Sequence, residues 1–356
     1  MTRLVSDWLR RGILVAGIAC ACLVPVSAQG GPGVFPGDPS LAAGGSVRYK
    51  LSGVPGVVGA PALMDNREDG QIVVSTTADS SWSVHERFGH LGINAPIQIP
   101  QTGLAVPRSL WSLEGGARYG RRLDGGRSYG VSLSVGSDSD RLFHSIHETV
   151  AQVSADYRVP SGERNAWLFF LGYSNNRYFL NGAPLPGVSY MFRSESGKLL
   201  GVVGFPFVSL SYLPAPLWDV RLSAFGPRRM NLDVGRRLRD MARVHAGVEW
   251  GGQTWLRAGR TDNASRLSFE RKRLYAGVEA PLSYRLSLAL SGGREFDRRF
   301  FETASTFSTS GATATLSPAW YLEAAVSWRF GAGSNGKRAD NHGAQRAMGD
   351  SPPFLQ

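Results

Sequence analysis

The densest cluster of reactive side chains in the sequence is His144-Ser145-Ile146-His147-Glu148. A Ser within hydrogen-bond reach of a His becomes a nucleophile for acyl transfer, and His with Glu is a zinc-ligand pair. The spacing meets neither demand. The HExxH arrangement is absent, and two His three residues apart on an extended chain point to opposite faces. No segment elsewhere supplies a group that would orient either imidazole, so the cluster reads as a polar connection. A second candidate, GAGSNGK at residues 331–337, imitates a phosphate-binding loop. Arg338 stands where Ser or Thr would hold magnesium, and no apolar helix follows. GxSxG, GxGxxG and zinc-ribbon spacings are absent, and Asn263-Ala-Ser265 is a chance glycosylation match. No catalytic residue, cofactor or metal ligand is assigned, and no enzyme class is indicated.

The charged residues become informative once the elements that carry them are drawn. In residues 319–330 (AWYLEAAVSWRF) one parity is Trp320, Leu322, Ala324, Val326, Trp328 and Phe330; the other is Tyr321, Glu323, Ala325, Ser327 and Arg329. Successive strand side chains face opposite ways, so this strand has one apolar face, aromatic at both ends, and one polar face. A transmembrane barrel strand requires that division. Residues 111–119, 128–136, 149–159, 218–225, 241–250, 274–282 and 284–293 repeat it, and 165–174, 187–193, 199–205 and 254–261 have strand length. Turn sequences such as LDGG at 123–126, PSGERN at 160–165 and LPAP at 213–216 separate them. The expectation is an all-β antiparallel transmembrane barrel of about 12 strands, within a range of 10–14. A soluble sandwich would show a charged, Lys-rich outer face; here Lys is scarce and aromatics recur near strand ends.

The parity opposite the aromatics carries Arg118, Arg158, Arg221, Arg243, Arg257, Arg273, Arg285 and Arg329 against Glu114, Glu148, Asp156, Asp219, Glu249, Glu279 and Glu323. This near balance predicts an interior held by cross-strand ion pairs around a narrow passage, because strong anion selectivity needs an excess of one sign. The candidate lumen-lining set is Glu114, Arg118, Asp156, Arg158, Arg221, Arg243, His245, Glu249, Glu279, Arg285, Glu323 and Arg329. Other arginines crowd into connections, at 121, 122 and 127, at 228 and 229, and at 236, 237 and 239, where they would suit lipopolysaccharide head groups or solvent.

Residues 1–28 read as a cleaved export signal: Arg3, Arg10 and Arg11, an apolar core over 12–24, then Pro25 and small residues ending at Ala28. Lipidation at Cys20 or Cys22 is the rival reading. Both cysteines fall in this leader, so the exported chain would rely on packing and a closed hydrogen-bond ladder instead of disulfides. No later run approaches the length of a transmembrane helix. The 44 Gly residues and 19% charged content suit many strands with tight turns. A net charge of +11 on an exported chain points to anionic lipid or lipopolysaccharide, not nucleic acid. The division expected is leader 1–28, a Gly/Pro-rich segment 29–108 forming a plug or extra hairpin, barrel 109–330, and a polar tail 331–356.

GYSNNRYFLNGAPLPGVSY (residues 172–190), the strands through 243–250 and GGREFDRRF (residues 292–300) resemble a family of uncharacterised bacterial outer-membrane β-barrels, a domain of unknown function. The resemblance implies location in the cell outer membrane and insertion by the barrel-assembly machinery, but no catalytic residues. The functions it leaves open are a narrow pore for small solutes, a structural or lipopolysaccharide-binding barrel with a filled lumen, and, last, a lipid-modifying enzyme.

Overall fold

A computed structural model describes residues 44–331, apart from 56–60, 101, 178–180, 227–228, 239–240 and 305–311. The expected leader and the tail beyond Gly331, with its GxxxxGK run, lie outside these residues. The strands in chain order are β1 (Gly44–Val54), β2 (Leu63–Thr76), β3 (Ser80–Ile93), β4 (Ile97–Ile99), β5 (Leu104–Val106), β6 (Ser109–Arg122), β7 (Ser128–Ser139), β8 (Thr149–Ser161), β9 (Asn165–Ser174), β10 (Leu185–Arg193), β11 (Leu199–Phe205), β12 (Phe207–Tyr212), β13 (Trp218–Phe225), β14 (Arg229–Leu238), β15 (Ala242–Trp255), β16 (Arg266–Pro281), β17 (Leu286–Thr303), β18 (Thr313–Leu316) and β19 (Ala319–Gly331).

Neighbouring wall strands pair antiparallel in chain order, and β1 pairs with β19 from Gly44 opposite Gly331 to Gly53 opposite Leu322, so the sheet closes on itself. β4 and β5 form a separate hairpin. β18 and β19 both pair with β17 and are two stretches of one wall strand, interrupted at Ser317-Pro318 where proline offers no N–H. The wall therefore has 16 strands, not about 12. The alternation misses β1, β12 and β14 and is poor over residues 72–78 and 82–93, which fall in β2 and β3; residues 254–261 are not a strand of their own, since β15 ends at Trp255. Closure pairs every wall strand on both sides and leaves no open edge for a membrane to solvate.

Both ends of the described chain, Gly44 and Gly331, lie at one rim, here the terminal end. The connections at that rim, such as residues 77–79, 123–127 and 282–285, are three to five residues long. At the opposite, far end they reach fifteen residues in 94–108, which holds the β4–β5 hairpin. This asymmetry of short turns and long loops is the one seen in bacterial outer-membrane barrels.

The register separates the faces. Val131, Leu133, Val153, Phe169, Leu171 and Trp328 point outward and are exposed, whereas Tyr321, Ala325 and Arg273 of the opposite parity are buried inside. Aromatic pairs collect near the terminal rim, Trp82 with Tyr119 at 4.8 Å and Trp328 with Phe330 at 5.1 Å. Residues 44–93, within the stretch expected to be a plug or extra hairpin, supply three wall strands; among the described residues of that stretch, β4–β5 is the element that folds inward.

Candidate functional site

The interior is layered. At the far end the inward residues are apolar: Leu63 of β2, Leu91 and Ile93 of β3, Leu110 of β6, Trp255 of β15, Leu267 and Phe269 of β16, and Phe300 of β17 are all buried in one cluster. Ile97, Ile99 and Val106 of the hairpin join it, so β4 and β5 fold back and cap this side of the mouth. Phe269 and Phe300 stack at 4.5 Å in its centre. A second apolar cluster, Leu168, Leu185, Val202, Phe207 and Phe225, lines the wall from β9 to β13.

Between the clusters runs a cavity of about 410 Å³. It touches Arg48, Ser287, Ser327 and Arg329 near the terminal rim and Arg229, Gly252 and Gln253 near the far one, so it extends along most of the barrel's height. Its wall carries Arg48, Lys50, Arg67, Arg87, Arg221, Arg229, Arg243, Arg271, Arg273 and Arg329 against Asp69, Asp233, Glu249, Glu279 and Glu323. Ten basic and five acidic groups touch the cavity, while Asp65, Glu114, Asp219 and Glu295 stand behind this lining in direct ion pairs with its arginines, so the excess belongs to the lining and the inward face as a whole stays near balance. Arg48, Lys50, Arg67 and Arg87 supply much of the basic lining, and all four sit on strands whose alternation is missed or poor. The signal was present: Val47, Tyr49 and Leu51 alternate with Arg48, Lys50 and Ser52.

Most of these charges are tied into networks across strands that are distant in sequence. Asp65 accepts from Arg67 at 3.0 Å and Arg271 at 2.8 Å; Arg271 pairs in turn with Glu295 at 3.4 Å. Arg273, fully buried, contacts Glu295 at 2.8 Å and Glu323 at 3.0 Å, donates to Ser52 Oγ at 3.1 Å, and lies over the Tyr321 ring at 4.3 Å. Lys50 completes the chain on Glu323 at 3.1 Å. Desolvating so many charges is costly, and only dense pairing of this kind offsets it.

On the adjoining strands β13 to β16 Arg243 bonds Asp219 through Nε at 3.0 Å and pairs with Asp233; His245 Nδ1 lies 2.8 Å from Asp233, and the Tyr275 hydroxyl sits between Asn231 Oδ1 at 2.9 Å and Asp233 Oδ2 at 3.1 Å, with one hydrogen to share between them. Gly235 makes this possible, since a Cβ there would fall 2.3 Å from Arg243 Nε. A third group joins Arg87 to Glu114 at 2.8 Å, with Gln152 donating to Glu114 at 3.0 Å, and Arg118 to Asp156.

The candidate residues are thus distributed unevenly. Arg221, Arg243, His245, Glu249, Glu279, Glu323 and Arg329 line the cavity. Glu114, Arg118 and Asp156 stand in ion pairs of the wall. Arg158 donates to the Gly126 carbonyl at 3.1 Å, at the terminal rim. Arg285 lies in the turn after β16, over the Tyr284 ring. Two residues counted as inward belong to far-end connections instead: Arg257 pairs with Glu302 at 2.9 Å, and Glu148 with Arg260 at 3.3 Å.

The His144–Glu148 run forms a 3-10 turn over Ile146–Glu148. Ser145 caps it, its Oγ accepting from the His147 N–H at 3.2 Å, while Glu148 accepts from the Ser145 N–H at 2.6 Å. Both imidazoles are exposed. Burial works against the charge of Glu148, but the hydrogen bonds from Ser145 and the Arg260 guanidinium outweigh it and hold the carboxyl below its usual range. The Ser hydroxyl serves as a cap. Among the described residues, no three His, Cys, Asp or Glu side chains converge on a metal position.

No protein-family model matches the chain, and no curated sequence matches it. Solved structures similar to it include an outer-membrane channel of Pseudomonas putida F1 (13% identity, 83% of this chain and 100% of that one, TM-score 0.34). The toluene transporter TodX of Pseudomonas putida (9% identity, 85% and 94%, TM-score 0.35) and OccK2 of Pseudomonas aeruginosa (7%, 81% and 97%, TM-score 0.33) are others. With identities and scores this low, the likenesses carry no inference about function. The barrel's own geometry must supply it.

Proposed function

We propose that this chain is an outer-membrane channel through which small hydrophilic solutes diffuse, with anions favoured over cations. The observation that carries the proposal is the cavity that follows the barrel wall from Arg48 and Arg329 to Arg229 and Gln253, lined by twice as many basic as acidic groups. Closed hydrogen bonding, an apolar exterior with aromatic rims, and short terminal-end turns support placement in the outer membrane, with the terminal end facing the periplasm. Export by a leader cleaved after Ala28, insertion by the barrel-assembly machinery, and contacts with outer-membrane lipid and lipopolysaccharide belong to the same proposal.

Liposome swelling is the first test. Vesicles holding the refolded chain should swell faster in small organic-anion salts than in matched uncharged solutes, and equal or absent swelling would count against it. The ion-pair networks and the two apolar clusters favour a second reading, a structural or lipopolysaccharide-binding barrel with a filled lumen. Retention of a large impermeant marker together with any small organic anion tested would favour that alternative.

A further inference from the structure

The outer surface of the wall is not uniform. From β7 to β11 its outward positions are exposed apolar groups such as Val131, Leu133, Phe169, Leu171 and Val203. On β2 and β3 the outward parity reads Asn66, Glu68 and Gly70 beside Glu86, Phe88 and His90. The register settles their direction. Glu68 is opposite Tyr49 and Phe88, and Glu86 is opposite Gly70 and Gly115, while their neighbours Asp69 and Arg87 face the cavity.

Glu68 and Glu86 are diagonal neighbours across the β2–β3 ladder, and neither has a partner among the described residues. Asn66 Oδ1 and His90 Nε2, on the same face, are buried without hydrogen bonds. Glu86 stands four residues from Trp82, which packs on Tyr119, and four residues from His90, which stacks on Trp111 at 3.9 Å. The two carboxyls therefore sit midway between aromatic rims, where lipid-facing charge is penalised most.

A complementary group lies on the other side of the closing seam. Arg294 of β17 is outward, opposite Leu274 and Trp320, exposed, and without a partner among the described residues. Between the flanks the outward positions of β17, β19 and β1 include the small residues Gly292, Ala324 and Gly53. A two-fold axis along the membrane normal sets the β17 flank of one molecule against the β2–β3 flank of another, and does so reciprocally.

We propose that a second copy of this chain covers the β17–β19–β1–β2–β3 face, with Arg294 of each copy directed toward Glu68 and Glu86 of the other. The inference rests on the membrane placement proposed above, which a heat-modifiable gel shift checks separately. The test is the protein mass of the full chain, extracted from membranes in mild detergent, by light scattering. The intact protein should carry twice the mass of one chain. Glu68→Leu/Glu86→Leu, which removes charge from an apolar band, should stay heat-modifiable and fall to the mass of one chain, and Arg294→Leu should shift the same way. Phe169→Ala, on the opposite face, should keep the double mass. Overturning results are a single-chain mass for the intact protein, a different chain in the complex, or a double mass that persists in Glu68→Leu/Glu86→Leu.

Discussion

The two halves of the lumen use opposite physics to fill the same barrel. The far half is packed with Leu, Ile, Phe and Trp around the β4–β5 hairpin and behaves like a small hydrophobic core. The remaining length carries charged side chains joined in cross-strand networks around a cavity. Apolar packing seals by excluding water. Charge networks hold the wall apart while leaving hydrated surface for a solute. In the channel proposed above, the far half would limit access and the charged half would select.

The largest expected effect falls in the charged half. Arg273→Met strips the guanidinium from Glu295 and Glu323 and should lower barrel stability by roughly 3–5 kcal/mol, since it leaves buried carboxylates uncompensated. Loss of the heat-modifiable band at a markedly lower temperature checks it; an unchanged transition would mean that the network contributes little. Next is the cap. Ile99→Ala removes a buried side chain from the far cluster and should cost about 2–4 kcal/mol where the site cannot collapse. If the hairpin instead loosens alone, protease cutting within residues 94–108 should rise while the wall stays intact, and either result separates cap from wall.

A smaller effect isolates selectivity. Arg48 lines the cavity near the terminal rim and has no partner among the described residues, so Arg48→Gln should lower anion preference with stability nearly unchanged. Reversal potentials in a salt gradient would read this, and an unaltered value would remove Arg48 from the pathway. The smallest concerns the far-end loop. Because Glu148 is held below the usual carboxyl range, its stabilisation of the 3-10 turn is complete at neutral pH and is lost as pH falls through its folded-state value. Glu148→Gln should abolish that acid-dependent loosening, followed as hydrogen exchange at residues 145–149. Persistence of the same pH dependence would assign it to another group.

Strand parity was the most legible feature of the sequence. Residues 319–330 read correctly as a wall strand with Trp320, Leu322 and Trp328 outward, and Arg243, Glu249 and Glu323 were placed on the inner face from alternation alone. Strand number was less legible for identifiable reasons. β2 carries Asn66 and Glu68 outward as well as Asp65, Arg67 and Asp69 inward, so it lacks an apolar face to announce it. β11 and β12 are separated by Pro206 alone, too little for a loop signal. The weak alternation of β1 to β3 also concealed Arg48, Lys50, Arg67 and Arg87, which supply much of the basic lining of the cavity. The partners were not legible either: Arg271 meets Asp65 only after the barrel closes, a contact across 206 positions of sequence that parity cannot foretell.

The most direct measurement is single-channel recording from the refolded chain in a planar bilayer under a potassium chloride gradient. A channel built on this cavity should give small, discrete steps whose reversal potential lies toward the chloride equilibrium value. Steps with a cation-biased reversal potential would contradict the assigned charge excess, and a bilayer that stays silent with folded protein present would contradict the channel itself.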